Sequence, residues 1–226
     1  MFIILVSYRA RGNQSFRRKE LINLIENVKI FFEINNIEYK IVICEQNNDN
    51  KFNRGFLLNV AFLESEKKCK YNKKYIHMNA DYTFDLNRKF PDEILNLQSG
   101  FLDLYRLPYP TLGAACVFDA ESYKEINGFP NDLYGWGGDD WAIYNRIMYK
   151  RIILETPHNL FNSGFIIEAY NLDNNDPDNS ITNDTNMSLA KRNDIDTNGL
   201  NSCNYITDCN GEFHDDKFIF HYLVSF

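Results

Sequence analysis

The order of apolar segments at the start of the chain constrains the fold more than any other feature. Residues 2–7 form a continuous apolar run ending in serine, typical of a strand buried on both faces of a sheet. Residues 18–32 then carry apolar side chains at helical spacing, and residues 39–44 (YKIVIC) predict a second strand. Strand, helix and strand in this order predict a right-handed crossover between parallel strands. We therefore expect an α/β fold with a twisted, mostly parallel central sheet flanked by helices.

Later segments continue this alternation. Residues 53–63 have the pattern of a second amphipathic helix, and residues 74–78 that of a third strand. Further elements are predicted at three places, which are a strand at 113–118, a short helix at 120–126 and a strand at 152–154. The sequence has no internal repeat, and its 226 residues fit one domain with a substantial core. Residues 1–226 are therefore expected to form a single domain.

Charge and cysteine content narrow the functional classes. A net charge of −7 and a pI near 5.1 lack the basic bias of nucleic-acid-binding surfaces, so no nucleic-acid partner is expected. Five cysteines, an odd number without a CxxC pair, predict free thiols and a reducing compartment. The N-terminus is apolar for only its first few residues, too short for a signal peptide or a membrane span. We expect a soluble, cytoplasmic protein, with an anchor upstream of the chain as an open alternative.

Residues 126–146 (INGFPNDLYGWGGDDWAIYNR) give the strongest indication of a functional site. Trp136 lies among glycines, which allow the backbone to adopt positive φ or to approach a ligand closely. Asp139 and Asp140 then stand where a helix should begin. Such acids can simply stabilise a helix dipole, but that role does not explain the glycine-flanked tryptophan. The combination predicts a ligand-binding or catalytic site.

Two other segments bear on this site. Asn-Ala-Asp at 79–81 follows the third strand, and ligands of open α/β sheets bind at the carboxyl ends of strands, so Asp81 is well placed to contact one. Residues 171–197 are rich in Asn and Asp and poor in apolar side chains. They are predicted to be either a loosely held surface loop or an active-site lid, because long loops inside compact domains are often functional.

Five blocks occur in the same order as in a known family, namely VSYRAR (6–11), FNRGFLLNVAF (52–62), MNADYTF (78–84), GAACVFDAESYKEINGFPNDLYGWGGDDWAIYNR (113–146) and, more weakly, NGLNSCNY (198–205). They resemble the β-1,4-galactosyltransferase family of inverting glycosyltransferases, which has the GT-A fold. The most specific part is INGFPN followed by GWGG, two acids and then NR. The resemblance implies one GT-A domain in which residues 1–100 bind the nucleotide and residues 101–226 the acceptor, with a flexible loop at about 171–197.

The resemblance implies a UDP-sugar donor bound mainly by the first half of the chain. Tyr8 would stack on or pack near the uracil, and Arg9 and Arg11 would meet the ribose and the phosphates. Arginine suits a diphosphate because its planar guanidinium forms paired, charged hydrogen bonds with phosphate oxygens. The other donor-binding residues that the resemblance implies are Phe52, Arg54, Asn79, Asp81 and Trp136.

The resemblance also implies the chemistry. Asp140 would be the general base that takes the proton from an acceptor hydroxyl as this attacks the anomeric carbon. The residues implied to contact the acceptor are Asp139, Trp136, Gly137 and Gly138. Trp141 occupies the position of a third acid in many relatives, and it could form an apolar platform for a sugar face or belong to the core.

The implied metal site departs from the family pattern. The family's Asp-x-Asp, whose second acid binds Mn²⁺, is replaced by Asn-Ala-Asp, which keeps only Asp81. A Met and a His that bind the metal in vertebrate relatives correspond to Ile166 and Ala169, which cannot bind a cation, whereas Glu168 between them could. We expect Mn²⁺ or Mg²⁺ held weakly by Asp81, Glu168, the diphosphate and water, with metal-independent transfer as the alternative.

The implied function is inverting transfer of a hexose or N-acetylhexosamine from a UDP-sugar to a hydroxyl of a glycan or glycoconjugate. The alternative is a catalytically inactive relative that binds a UDP-sugar or a glycan. Thr111 stands where the family has an aromatic side chain that limits the room around C2 of the donor sugar. The smaller side chain predicts a roomier pocket, which leaves GalNAc, GlcNAc and glucose open as donors beside galactose.

Overall fold

The computed structural model describes residues 1–9, 15–69, 73–104, 112, 114–156, 165–168, 183–213 and 216–226. Its strands, in chain order, are β1 (Phe2–Tyr8), β2 (Tyr39–Gln46), β3 (Lys74–Met78), β4 (Tyr82–Phe84), β5 (Phe101–Asp103), β6 (Ala115–Asp119), β7 (Leu154–Glu155), β8 (Ile166–Glu168), β9 (Ile206–Asp208) and β10 (Ile219–Ser225). Its helices are α1 (Ser15–Ile34), α2 (Arg54–Lys68), α3 (Asp92–Asn96), α4 (Ala120–Glu125), α5 (Asp139–Lys150) and α6 (Asn183–Leu189), with a 3₁₀ turn at Leu200–Ser202.

Eight of the strands in the described part of the chain form one sheet, in the order β7-β5-β6-β3-β1-β2-β10-β9. The four central strands β3, β1, β2 and β10 pair with one another in parallel, as the sequence predicts. Antiparallel pairing lies further out, where β6 pairs with β3 and β5, and β9 pairs with β10. A separate two-stranded sheet joins β4 and β8. The α/β fold with a mostly parallel sheet is confirmed.

The sheet is buried on both faces because its central strands alternate between two hydrophobic layers. On β1, Ile4 and Val6 pack in the layer that includes α1, whereas Ile3 and Leu5 pack in the layer that includes α2 and α5. Phe31 on α1 is wholly buried, and its truncation to alanine is expected to cost about 3–5 kcal/mol of unfolding free energy. The continuous apolar run at the N-terminus is therefore explained by burial on both sides.

Several boundaries differ from those expected from the sequence. α2 begins as expected because the side chain of Asn53 accepts a hydrogen bond from the backbone N of Phe56 at 2.9 Å, but the helix continues to Lys68. The strand expected at 113–118 begins at Ala115, and Gly113 lies outside the described residues. The strand expected at 152–154 is the short β7, which pairs with β5. Short strands have too few residues to show their period in the sequence.

The two expected halves, 1–100 and 101–226, interleave in the sheet. β10, from the end of the chain, lies beside β2, and β6 lies beside β3. None of the described helices combines the length and the apolar content that crossing a membrane requires. The carboxyl end of β2 leads into α2, and that of β3 leads into residues 79–81, so the chain segments predicted to bind a ligand meet at one edge of the sheet.

Candidate active site

The loop before α5 presents two acids at the start of this helix. Gly138 precedes the helix with φ 86°, and a Cβ atom at this position would lie 2.6 Å from the backbone O of Asn186. Only glycine meets both the backbone and the packing requirement. The chain can then turn sharply, and α5 begins with Asp139 and Asp140 in its first turn.

Arg54, at the start of α2, binds both acids. Its Nε lies 2.5 Å from Oδ2 of Asp139, and its Nη2 lies 2.5 Å from Oδ1 of Asp140. Its Nη1 donates a hydrogen bond to Oδ1 of Asn79 at 3.2 Å. The guanidinium also lies 5.9 Å from the ring centroid of Phe129. One arginine thus joins three sequence blocks that are far apart in the chain, those containing FNRG, MNAD and GWGGDD.

Burial within this cluster changes the ionisation of its members. Arg54 and Asp139 are only 13% and 16% exposed, whereas the side chain of Asp140 is 35% exposed. Burial alone would lower the pKa of Arg54, but Asp139 and Asp140 raise it, and the net shift is upward. Burial raises the pKa of Asp139, and the charge of Asp140 adds to this against the opposing effect of Arg54. Asp140 is the carboxylate of the pair more accessible to a reactant.

The tryptophan loop is held from behind by α6. Nδ2 of Asn186 donates hydrogen bonds to the backbone O of Tyr134 at 3.0 Å and of Trp136 at 3.4 Å. The Trp136 side chain is 54% exposed. α6 belongs to the segment 171–197 predicted to be a loop or lid, so residues 183–189 of this segment are helical. Residues 171–182 lie outside the described residues.

A second polar network fixes the INGFPN turn against α2. Asn59, wholly buried in the middle of this helix, donates to the backbone O of Phe129 at 2.8 Å. Its Oδ1 accepts from the backbone N of Phe129 at 3.0 Å and from the hydroxyl of Tyr123 at 2.8 Å. Arg146 supports the same turn from α5 through the backbone O of Gly128 at 2.9 Å. The turn is therefore tied to two helices.

These supporting residues were not predicted as part of the site. Asn59 had a visible signal, because an asparagine in the apolar stretch of an amphipathic helix must find buried hydrogen-bond partners. Arg146 is the last residue of the block 113–146, but the sequence of this block does not show which groups Arg146 contacts. Asn186 lies in an Asn-rich segment where nothing distinguishes it from its neighbours.

The described residues among those predicted to bind the nucleotide lie at the same sheet edge. Tyr8 ends β1 and is buried in the layer that includes α1, where burial, aided by Glu45, raises the pKa of its hydroxyl to about 12. Nη2 of Arg9 donates to the backbone O of Asn48 at 3.3 Å. The backbone O of Phe52 accepts from Gly135 N at 2.7 Å, which ties the second block to the tryptophan loop. Arg11 and Thr111 lie outside the described residues.

The predicted metal ligands lie beside β4 and β8. Asp81 is partly exposed in the turn after β3, and the backbone of Glu168 pairs with that of Tyr82 next to it. Ile166 is buried and pairs with Phe84, so it supplies no ligand. Within the part of the chain that the structure describes, no three His, Cys, Asp or Glu side chains come together as a metal site.

Comparison with known families gives two matches along the chain. Residues 2–84 match the model of the N-terminal region of glycosyl transferase group 7. Residues 101–171 match the model described as the N-terminal domain of galactosyltransferase. Between them the two matches include the Arg54 cluster and the tryptophan loop.

Curated relatives are about one third identical to this chain within the aligned region. Mouse β-1,4-galactosyltransferase 4 is 31% identical over 146 residues, which are 62% of this chain and 42% of that protein. Bovine β-1,4-galactosyltransferase 1 is 33% identical over 129 residues, which are 54% of this chain and 31% of that protein. The chain thus spans less than half the length of these two relatives.

Solved structures share the fold over the whole chain. The catalytic domain of Drosophila β-1,4-galactosyltransferase 7 in complex with xylobiose has a TM-score of 0.73 at 18% identity, covering 100% of this chain and 95% of that one. A mutant of the same Drosophila enzyme, in complex with manganese, UDP-Gal and xylobiose, has a TM-score of 0.70 at 17% identity, covering 100% and 94%. The GT-A fold expected from the sequence is confirmed.

Proposed function

Because the chain belongs to the β-1,4-galactosyltransferase family, we propose that it is an inverting glycosyltransferase. It moves a hexose or N-acetylhexosamine from a UDP-sugar to a hydroxyl of a glycan or glycoconjugate. The observation that supports this most is the convergence of Arg54, Asn79, Asp139 and Asp140 at the sheet edge where α/β proteins bind ligands. An acid pair fixed by a buried arginine beside a loop tryptophan suits deprotonation of a sugar hydroxyl.

Asp140 acts as the general base in this reaction. Its carboxylate accepts the proton of the acceptor hydroxyl while the hydroxyl oxygen bonds to the anomeric carbon of the donor. The bond from that carbon to the diphosphate breaks on the opposite side, UDP leaves, and the configuration is inverted. Asp140 suits this role better than Asp139 because its side chain is about twice as exposed. Asp139, Trp136, Gly137 and Gly138 then contact the acceptor.

The donor lies across the carboxyl ends of β1, β2 and β3. Tyr8 is buried, so we assign it to the floor beneath the uracil, with Phe52 and the arginines Arg9 and Arg11 around the nucleotide. Arg54 also positions the donor-binding residue Asn79. Its Nη1 donates a hydrogen bond to Oδ1 of Asn79 at 3.2 Å and so orients an amide that can bind ribose or sugar hydroxyls. The donor's sugar then lies between residues 79–81 and Trp136.

A divalent cation, Mn²⁺ or Mg²⁺, fits this site as a weakly held ligand. Asp81 offers the hard oxygen that such ions prefer, and the backbone pairing of β4 with β8 places Glu168 opposite Tyr82, the residue that follows Asp81. The described residues supply no group of three or more such ligands, and we assign the remaining coordination to the diphosphate and water. When bound, the ion neutralises charge on the leaving diphosphate.

Release of UDP from a panel of UDP-sugars, with acceptor glycosides and with Mn²⁺ or a chelator, tests the function. We expect turnover by the wild type, and replacement Asp140→Asn is expected to lower kcat by about 10²- to 10⁴-fold because the amide cannot accept the proton. Saturable UDP binding should survive in this variant. Wild-type activity in Asp140→Asn would show that Asp140 is not the general base. Saturable UDP binding without turnover of any donor by the wild type would identify an inactive, sugar-nucleotide-binding relative.

A further inference from the structure

Trp141 is an exposed indole directly after the proposed base. It lies in the first turn of α5 and is 38% exposed, so it is not a core residue. A large aromatic side chain contributes most to stability when it is buried. An exposed one directly after two carboxylates in the sequence therefore indicates contact with a ligand. Trp136 is exposed on the loop just before the acids. The carboxylates therefore lie between two exposed indoles in the sequence.

Tyr144 braces the indole of Trp141. The two rings meet edge to face, with centroids 6.0 Å apart and planes at 90°. A spacing of three residues puts both side chains on the same side of α5. Tyr144 is itself partly buried against the hydrophobic layer that includes α2 and α5. Its anchored ring limits the orientations open to the indole, so a flat surface is held in place one residue after Asp140 on the same helix.

This arrangement has the two chemical features that a pyranose ring requires. A sugar ring offers C–H groups on its faces, which pack on aromatic surfaces, and hydroxyls around its rim, which need polar partners. Trp141 offers the surface, while Asp139 and Asp140 offer acceptor oxygens. Among the ion pairs of the described residues, the two carboxylates share the single guanidinium of Arg54. Their surplus negative charge disfavours an acidic sugar.

We propose that Trp141, braced by Tyr144, is the platform on which the neutral acceptor sugar lies while its attacking hydroxyl faces Asp140. The proposal rests on the proposed function, since it assigns the acceptor side of the same site. It makes Trp141 an acceptor-binding residue where a third acid would have added hydrogen bonds. The acceptor is then recognised by one ring face, in addition to its hydroxyls.

Acceptor kinetics test this proposal. Replacement Trp141→Ala is expected to raise the acceptor KM by about tenfold, the effect of losing one aromatic contact, while the donor KM stays near the wild-type value. Trp141→Phe should recover most of the loss. The matched control is Tyr149→Ala, because Tyr149 is an exposed aromatic residue at the far end of the same helix. An unchanged acceptor KM in Trp141→Ala, or an equal rise in Tyr149→Ala, overturns the platform.

Fluorescence gives a reading that does not need turnover. The chain has two tryptophans, so an emission change that the wild type shows and Trp141→Phe lacks comes from Trp141. In the presence of UDP, titration with methyl β-xyloside, methyl β-glucoside or xylobiose should change its emission saturably. Methyl β-glucuronide, which differs from the glucoside by a carboxylate, should bind more weakly. Emission from Trp141 that responds to none of the neutral glycosides, or responds more strongly to the glucuronide, contradicts the proposal.

The two proposals fail in different ways. If the wild type releases no UDP from any donor, the proposed function is wrong. The fluorescence of Trp141 then still shows whether Trp141 contacts a sugar. Turnover by the wild type with a normal acceptor KM in Trp141→Ala removes only the platform.

Discussion

At the scale of single residues, Arg54 organises the site. Its side chain contacts both aspartates and also Asn79, and its position on the first turn of α2 is set by the Asn53 cap. A flat guanidinium can bind two carboxylates at once through nitrogens that point in different directions, which an ammonium group cannot do. The chemistry proposed for Asp140 therefore depends on a residue that was expected to bind only the donor.

The replacement Arg54→Lys tests this role. It keeps the positive charge but loses the planar guanidinium that contacts two carboxylates at once. One of the two aspartates is then left without its ion-pair partner at a largely buried site. We expect the free energy of unfolding to fall by about 1–3 kcal/mol and turnover to fall with it. Urea unfolding and initial rates measure the two effects.

A surface pair provides the control for Arg54. Arg88→Lys changes an exposed pair with Asp85 three residues away, and it should alter stability by less than about 0.5 kcal/mol. Equal effects of the two replacements would show that Arg54 has no special geometric role.

At the scale of elements, the contact between the tryptophan loop and α6 fixes the loop that we propose to bind the acceptor. Gly138 touches the backbone of Asn186, and Asn186 in turn binds the loop carbonyls. Three of the glycines around Trp136, at positions 135, 137 and 138, have positive φ. The loop is therefore shaped by glycine and secured by one asparagine from another segment.

Introducing a side chain at Gly138 should separate these two elements. In Gly138→Ala the new methyl group clashes with the Asn186 carbonyl and the backbone is strained at positive φ. We expect a loss of about 1–3 kcal/mol and faster amide hydrogen exchange in α6. Ser188→Ala, on an exposed position of α6, is the control and should leave exchange unchanged. Normal protection of α6 in Gly138→Ala would argue against this contact.

The sequence predicts some elements far better than others. Buried runs and amphipathic periods identify β1, α1, β2, α2 and β3, because these elements are long enough to show their period. The short strands β4 and β8 have three residues each and carry no such signal. The identity of the two acids follows from the family resemblance. Their pairing with Arg54 could not be predicted, since it joins Arg54 to residues 85 and 86 positions away and nothing local encodes it.

At the scale of the whole molecule, a second ionic cluster holds α2 to neighbouring elements. Glu66 near the end of α2 contacts Lys73, accepts a hydrogen bond from the hydroxyl of Tyr75 on β3 at 2.5 Å, and pairs with Lys124 on α4 at 2.9 Å. Burial alone would raise the pKa of Glu66, but these three partners lower it from about 4.5 to about 2. The carboxylate is thus more stable in the folded protein than in the unfolded chain.

This shift predicts an acid-dependent contribution to stability. A folded pKa below the unfolded one means that the contribution is complete above about pH 4.5 and is lost as the pH falls towards 2. After allowance for solvent screening, we expect Glu66→Gln to cost about 1–2 kcal/mol at pH 7. The unfolding free energies of wild type and variant should converge near pH 2, as measured by urea unfolding across this range. A difference that stays constant with pH would contradict the role of the charge.

The position of β10 has a consequence for how the protein reaches its folded state. Residues 219–224 pair in parallel register with residues 41–46, so the strand that covers one side of β2 is made about 170 residues after β2 itself. During synthesis the edge of β2 stays exposed until that late segment emerges, and an exposed strand edge can pair with other chains. Contacts so distant in sequence also slow folding. The nascent N-terminal portion therefore needs protection from self-association until β10 has been synthesised and can pair with β2.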